Sequence, residues 1–427
     1  MKNNERPTAV LMLEDKTCFI GQSCGAAGEA VGEICFNTSM IGYPEVISEA
    51  AYAGHILTMT YPQIGNYGVA RSDLERDKAA LRALVVRDLC ELPSNFRCDL
   101  SLPDYLKEQG IVALEGIDTR KLVCHIREQG PMRAIISTLD SDLASLGAKL
   151  QAAPLLDNEE LVSRLSTKAT WAFDPDEAFA AYADWLAPLP QALHHVVVID
   201  CGVSNSALRH LAKAGCAATV VPWDTSADEL LSHQPDGVFV SGGPGNPRVP
   251  KATIETVDRL LGRIPVLGLG LGQQLLALAA GGRTEKLKLG HNGSNYPVMD
   301  LCSQTVDITV QHHSYSIVFE SLGPLIPEQS GGVSAHPPDA DLRFWVKKGK
   351  APVVQNDRFG RIRLTHVNIN DGSAEGLAFL DIPALSAQFH PTVAPDATGP
   401  HALYAAFVKL MDEKAPANPH ERSAANA

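Results

Sequence analysis

Residues 194–282 alternate continuous apolar runs with helical patterns, and few folds accept that order. "HHVVVIDCG" is a strand with no polar face, the type buried on both sides of a parallel sheet. "NSALRHLAKAG" is a helix closed by glycine. "CAATVVPWD" follows as a strand and "SADELLSHQ" as a helix with a serine cap. "DGVFVSGG" is a strand running into a glycine loop, "TIETVDRLLG" a helix and "IPVLGLG" a strand. The alternation predicts a doubly wound α/β domain, whose site lies beyond the carboxyl ends of its strands. Two glycine loops, "SGGPGNP" and "GLGLGQQ", fall at such ends.

The chain before this region has a different character. "TAVLMLEDKTCFIGQSCG" alternates and turns like a hairpin. "LPDYLKEQGIVALEGIDTRKLVCHIREQG" carries two amphipathic helical patterns around a short strand. Residues 8–150 are therefore expected as a mixed α+β domain and 151–192 as a connector. Residues 193–413 form the α/β domain, in which the polar, Pro- and Gly-rich stretch 328–358 is expected as a surface insertion. Residues 414–427 are expected as a disordered tail.

Length agrees with two domains, since 427 residues exceed an ordinary single core. A net charge of −13 argues against nucleic acid or an anionic membrane surface as the partner. No span is apolar enough for a membrane. The N-terminus shows no secretory h-region, so a cytoplasmic location with reduced thiols is expected for the nine cysteines.

"GLGLG" after a strand invites a dinucleotide-binding reading. That fingerprint needs glycine at 273, which is Gln273, and belongs in the first βα unit of its domain. A nucleophile elbow, in which a sharp strand-to-helix turn presents one reacting residue, fits better.

"FNTSMIGYPEV", "LTMTYPQIGNYG", "VVRDL", "SNFR", "GIDTRKL", "SGGPGNP", "GQQLLALAAGG", "LGHNGSNYPV" and "FHP" occur in this order. Together they resemble the small, glutamine-hydrolysing subunit of carbamoyl phosphate synthetase. "NTSMIGY" and "GIDTRKL" are specific to that subunit, and the later motifs belong to class I glutamine amidotransferases more widely. The resemblance implies an N-terminal α+β domain followed by a class I glutamine amidotransferase domain. It implies a large-subunit partner that holds the ATP and metal, with no cofactor on this chain, and a role in arginine and pyrimidine synthesis.

The family's reaction uses a Cys–His–Glu triad. The thiolate attacks the side-chain amide of glutamine, the imidazole activates the thiol and shuttles the proton, and the carboxylate orients the imidazole. Glycine-loop N–H groups hold the oxyanion. Carried onto this sequence, the cysteine position is Gly270, the triad histidine is His390, and the glutamate position is Thr392. Positions resembling the glutamine pocket are Ser39, Gly243, Gly245, Leu271 and Gln274, which match. A later segment departs from the family, with His312 for Asn, Ser314 for Gly and Tyr315 for Phe. The pair His312–His313 is expected to hold no metal, because only a third ligand placed by the fold would make a site.

A nucleophile elbow holds its residue at positive φ, at a cost of about 1–3 kcal/mol. Glycine relieves that cost once catalysis does not need the side chain. The expectation is a small subunit without glutaminase activity, a pseudoenzyme with His390 as a remnant. Two rival readings are a binding protein that holds glutamine without cleaving it for a different partner, and a glutaminase with an unrecognised nucleophile.

Overall fold

The computed structural model describes residues 7–182, 188–337, 341–391 and 401–414. The N-terminal region closes seven strands into a barrel. Its order is Thr8–Leu13, Cys18–Ser23, Val112–Glu115, Ala83–Val85, His55–Met59, Glu29–Asn37 and Met132–Ser137. The expected hairpin is the antiparallel pair Thr8–Leu13 with Cys18–Ser23, turned through Lys16 at φ 72°. Closure was not readable from the hairpin. It depends on Met132–Ser137 pairing with both Thr8–Leu13 and Glu29–Asn37, contacts 98 or more residues apart. The barrel interior is aliphatic, with Leu11, Ile34, Ile56, Val85, Leu114 and Ile136 in one buried cluster.

The C-terminal region is an eleven-stranded mixed sheet. Five parallel strands form its wound part, in the spatial order Cys216–Pro222, His194–Asp200, Gly237–Val240, Val266–Leu269 and Ala384–Ala387. The strands His194–Asp200, Gly237–Val240 and Val266–Leu269 are almost wholly buried, as their unbroken apolar runs require. The helix Ala227–Ser232 starts where Ser226 accepts from the Glu229 N–H, and Asn205–Lys213 where Ser204 accepts from Ala207. Antiparallel strands extend the sheet, led by the long ribbon of Arg283–Asp300 with Thr305–Val318.

The stretch 328–358 is not an appended surface loop. Its helix Arg343–Lys348 buries Trp345 completely in the main core, and its strand Val353–Asn356 forms the sheet edge. The polar composition masks these anchors, because each is only a few residues long. Residues 338–340 within it lie outside the described residues, as does the tail from 415 onward. The connector is likewise structured in part: Leu156 and Leu161 pack on Ala53 of the barrel, and Trp171–Ala172 pairs with Cys216–Pro222. No described helix is long and apolar enough to cross a membrane.

Candidate functional site

Three parallel strands deliver the site. Gly237–Val240 leads into the glycine loop, Val266–Leu269 into Gly270, and Ala384–Ala387 into His390. All three open at their carboxyl ends, where a wound sheet presents ligands.

The elbow is built by its outer glycines. A Cβ on Gly268 would sit 2.7 Å from the Gly272 carbonyl oxygen, and one on Gly272 would sit 2.1 Å from the Val240 oxygen. Only glycine lets the strand and the helix Leu271–Ala279 approach this closely. Gly270 itself has φ 53° and ψ −113°, the raised turn between strand and helix. A Cβ there meets nothing nearer than the Gly242 Cα at 3.5 Å and the Gln388 oxygen at 3.9 Å. The backbone thus presents a side-chain position, with room in front of it, that no side chain fills. Gly270 and His390 line the same small cavity beneath the elbow.

Gly243, Gly245, Leu271, Gln274, His312, Ser314, Tyr315 and His390 line one cavity between barrel and sheet. Ser39 is set apart from them. It is buried, its N–H bonds the Asn37 Oδ1 at 2.7 Å, and it lines an adjacent, larger cavity of ≈ 370 Å³ on the other side of His312 and His390. Thr392 lies outside the described residues.

The barrel contributes more of the first cavity than sequence reasoning found. Glu33, Tyr52 and His55 come from it, and Asp157 from the connector. No local pattern marks these residues, since only barrel closure and domain packing bring them to the sheet. Lys286 reaches Glu33 at 2.8 Å and Asp157 at 2.9 Å, and the Tyr315 hydroxyl donates to Asp157 at 2.7 Å. Burial opposes the charge of Lys286, but Glu33 and Asp157 outweigh it and hold the ammonium above its ordinary pKa. This network ties the two domains across the floor of the cavity. The volume open to the centre of a water-sized sphere in this cavity is ≈ 30 Å³.

His312 is held from the barrel. Asn37 accepts from Ser39 through its oxygen, so its amide nitrogen donates to the Tyr52 hydroxyl at 2.8 Å. That hydroxyl then donates to the His312 Nδ1 at 2.8 Å, which assigns the ring proton to Nε2. The His312 and His390 rings lie 5.2 Å apart. Burial pushes both pKa values down, that of His312 well down with added repulsion from His390 and His313. Both rings are therefore neutral near pH 7. Among the described residues, none that lines the cavity is a cysteine. Cys201, at the end of the neighbouring strand, is fully buried, and burial together with Asp200 raises its pKa far above the ordinary thiol range.

Two family descriptions match the chain: "Carbamoyl-phosphate synthase small chain, CPSase domain" over residues 11–136, and "Glutamine amidotransferase class-I" over residues 197–326. The chain is 39% identical over 407 residues to the carbamoyl phosphate synthase small chain of Chlorobaculum tepidum, covering 95% of this chain and 98% of that one. It is 39% identical over 403 residues to the small chain of Bacillus caldolyticus, covering 94% and 96%. To the pyrimidine-specific small chain of Halalkalibacterium halodurans it is 38% identical over 402 residues, with the same coverage of both chains. The barrel, the wound sheet, the glycine elbow and these matches agree, and the chain belongs to the carbamoyl phosphate synthase small-chain family, with a class I glutamine amidotransferase domain.

Proposed function

We propose that this chain is a carbamoyl phosphate synthase small subunit that does not hydrolyse glutamine. The observation that carries the proposal is Gly270, which holds the turn of a nucleophile elbow and offers no nucleophile. The thioester route needs a thiolate at that position, and neither His390 nor a backbone N–H can replace it. The cross-linked cavity supports the same reading. Glutamine entering this cavity would meet the Tyr315–Asp157–Lys286 contacts that tie its walls together.

The chain then serves as a structural or regulatory partner of a large synthetase subunit, and the complex draws on free ammonia. The Halalkalibacterium relative is named pyrimidine-specific, and carbamoyl phosphate made by this complex would feed pyrimidine or arginine synthesis. The test is carbamoyl phosphate formation by the complex with a large subunit, supplied in parallel with ammonium and with glutamine. Synthesis from ammonium alone is expected. Equal synthesis from both substrates overturns the proposal.

A further inference from the structure

Two cavities meet at the same two side chains, Glu49 and His390. The smaller lies beneath the elbow, against Gly270 and Gly242, and Phe239, Leu269 and Phe389 make the rest of its wall apolar. Its volume open to the centre of a water-sized sphere is ≈ 20 Å³, more than the ~10–15 Å³ that one such molecule needs. The larger is the ≈ 370 Å³ cavity that Ser39 lines. It reaches the surface at Ile41, which is 75% exposed. Glu45, Glu49, Asp73 and Glu75 line it against Arg97 and Arg209, so the way in from solvent favours small cations over anions.

Glu49 stands out among these acids. It is 4% exposed, and among the described residues no cationic side chain forms an ion pair with it. Its neighbour Arg76 lies 3.8 Å from Asp200 instead and donates to the Val203 and Leu165 carbonyls. The Glu49 Oε1 caps the turn Ala50–Tyr52 by accepting from the Ala51 N–H at 3.4 Å, a long bond. Burial outweighs these N–H groups and the Arg76 charge and raises the Glu49 pKa to about 7. Glu75 is better satisfied, accepting from the Ser206 N–H at 2.9 Å. His390 has unused capacity too. Its backbone N–H donates to the Val310 carbonyl at 2.9 Å, but neither ring nitrogen makes a hydrogen bond to a described residue. Burial lowers its pKa, so the neutral ring offers one lone pair. A carboxylate and an imidazole with acceptor capacity to spare thus face one cavity, in apolar surroundings that strengthen each contact.

We propose that the cavity beneath Gly270 binds one ammonium ion, which donates hydrogen bonds to the Glu49 carboxylate and to the His390 ring. Ammonium is the size of a water molecule, carries the charge that offsets a buried carboxylate, and brings only donors to a site that presents acceptors. Water fits the volume but brings no charge. Potassium brings the charge, but it favours a cage of oxygens over an imidazole lone pair. Gly270 leaves the room, because a side chain there would project against Gly242 on the wall of the same cavity. The ion's use as substrate rests on the reading above, that the complex draws on free ammonia; its binding does not.

Binding is tested on the full-length protein by thermal unfolding in ammonium, potassium or sodium chloride of equal ionic strength, at about pH 8, above the raised Glu49 value. Ammonium should raise Tm saturably, and the other two should not. Glu49→Gln and His390→Phe should each abolish the difference. Equal shifts in all three salts overturn the proposal, and so does an undiminished ammonium shift in a folded Glu49→Gln variant. If neither variant folds, exchange broadening of isotope-labelled ammonium by the wild-type protein decides. Broadening that excess potassium does not remove supports the site; its absence, or its removal by potassium, overturns it. Use is tested in the complex with a large synthetase subunit, given ammonium and no glutamine. Glu49→Gln should raise the ammonium KM about tenfold or more, a far larger change than in kcat. An unchanged KM overturns the site as a source of substrate and leaves the reading above in place. No synthesis from ammonium by the wild-type complex ends that reading instead, and the thermal shift then judges the site alone.

Discussion

The elbow and the pocket wall have departed from the family's pattern in different ways. At the elbow, the backbone turn is complete and Gly270 carries no side chain. At the wall, His312, Ser314 and Tyr315 stand where the family resemblance implies Asn, Gly and Phe, and the Tyr315 hydroxyl is tied to Asp157. The difference separates two kinds of constraint. Gly268 and Gly272 are held by sterics, because a Cβ on either would enter backbone atoms. Gly270, His312 and Tyr315 are free of that constraint and answer only to chemistry and packing.

The sharpest way to break this comparison is to put the same methyl on two neighbouring glycines. Gly272→Ala drives a Cβ to 2.1 Å from the Val240 oxygen, which cannot yield without moving the sheet. We expect a loss of about 3 kcal/mol or more in denaturant unfolding. Gly270→Ala meets open space, and its cost is only that of the positive φ, about 1–3 kcal/mol. Equal losses would show that the elbow is not the close-packed junction described.

A second prediction concerns pH. Burial raises the Glu45 pKa to about 7, and one of its oxygens is buried without a hydrogen bond. Its unfolded value is near 4.5, so the folded state holds the proton more tightly between these values. Stability from this group is present below pH 4.5 and is lost as pH rises through 7, by at most about 3 kcal/mol. Glu45→Gln should flatten that part of the stability profile, with its largest gain over wild type at pH 8. Stability that rises with pH because of Glu45 would contradict the assignment.

Gly270→Cys restores the missing atom and tests the wall separately. The thiol has room, and the protein should fold with a loss of about 1–3 kcal/mol. No glutamate should form, because the cavity remains cross-linked and Thr392 offers no carboxylate to orient His390. Robust turnover in this single variant would show that the wall is still a working pocket. The smallest effect is expected for Tyr315→Phe, which removes one hydrogen bond to Asp157 and should cost about 1 kcal/mol.

How much was legible beforehand follows the range of the interactions. The wound strands, the serine caps and the elbow are local, so periodicity and glycine spacing announce them. His312, Ser314 and Tyr315 were legible by departure from a family segment. Tyr52, Glu33 and Asp157 were not, because their role exists only once the barrel closes and docks on the sheet. Trp345 was hidden for a related reason: one buried indole anchors a stretch whose composition is that of a loop.

The account rests on the absence of a nucleophile at Gly270, and glutamate release tests that most directly. Purified protein with a large synthetase subunit, ATP and bicarbonate is given glutamine, and glutamate is measured over time. The account predicts release no faster than in the enzyme-free control, while the same complex makes carbamoyl phosphate from ammonium. Glutamate formed in step with carbamoyl phosphate would contradict it and require a nucleophile elsewhere in the cavity.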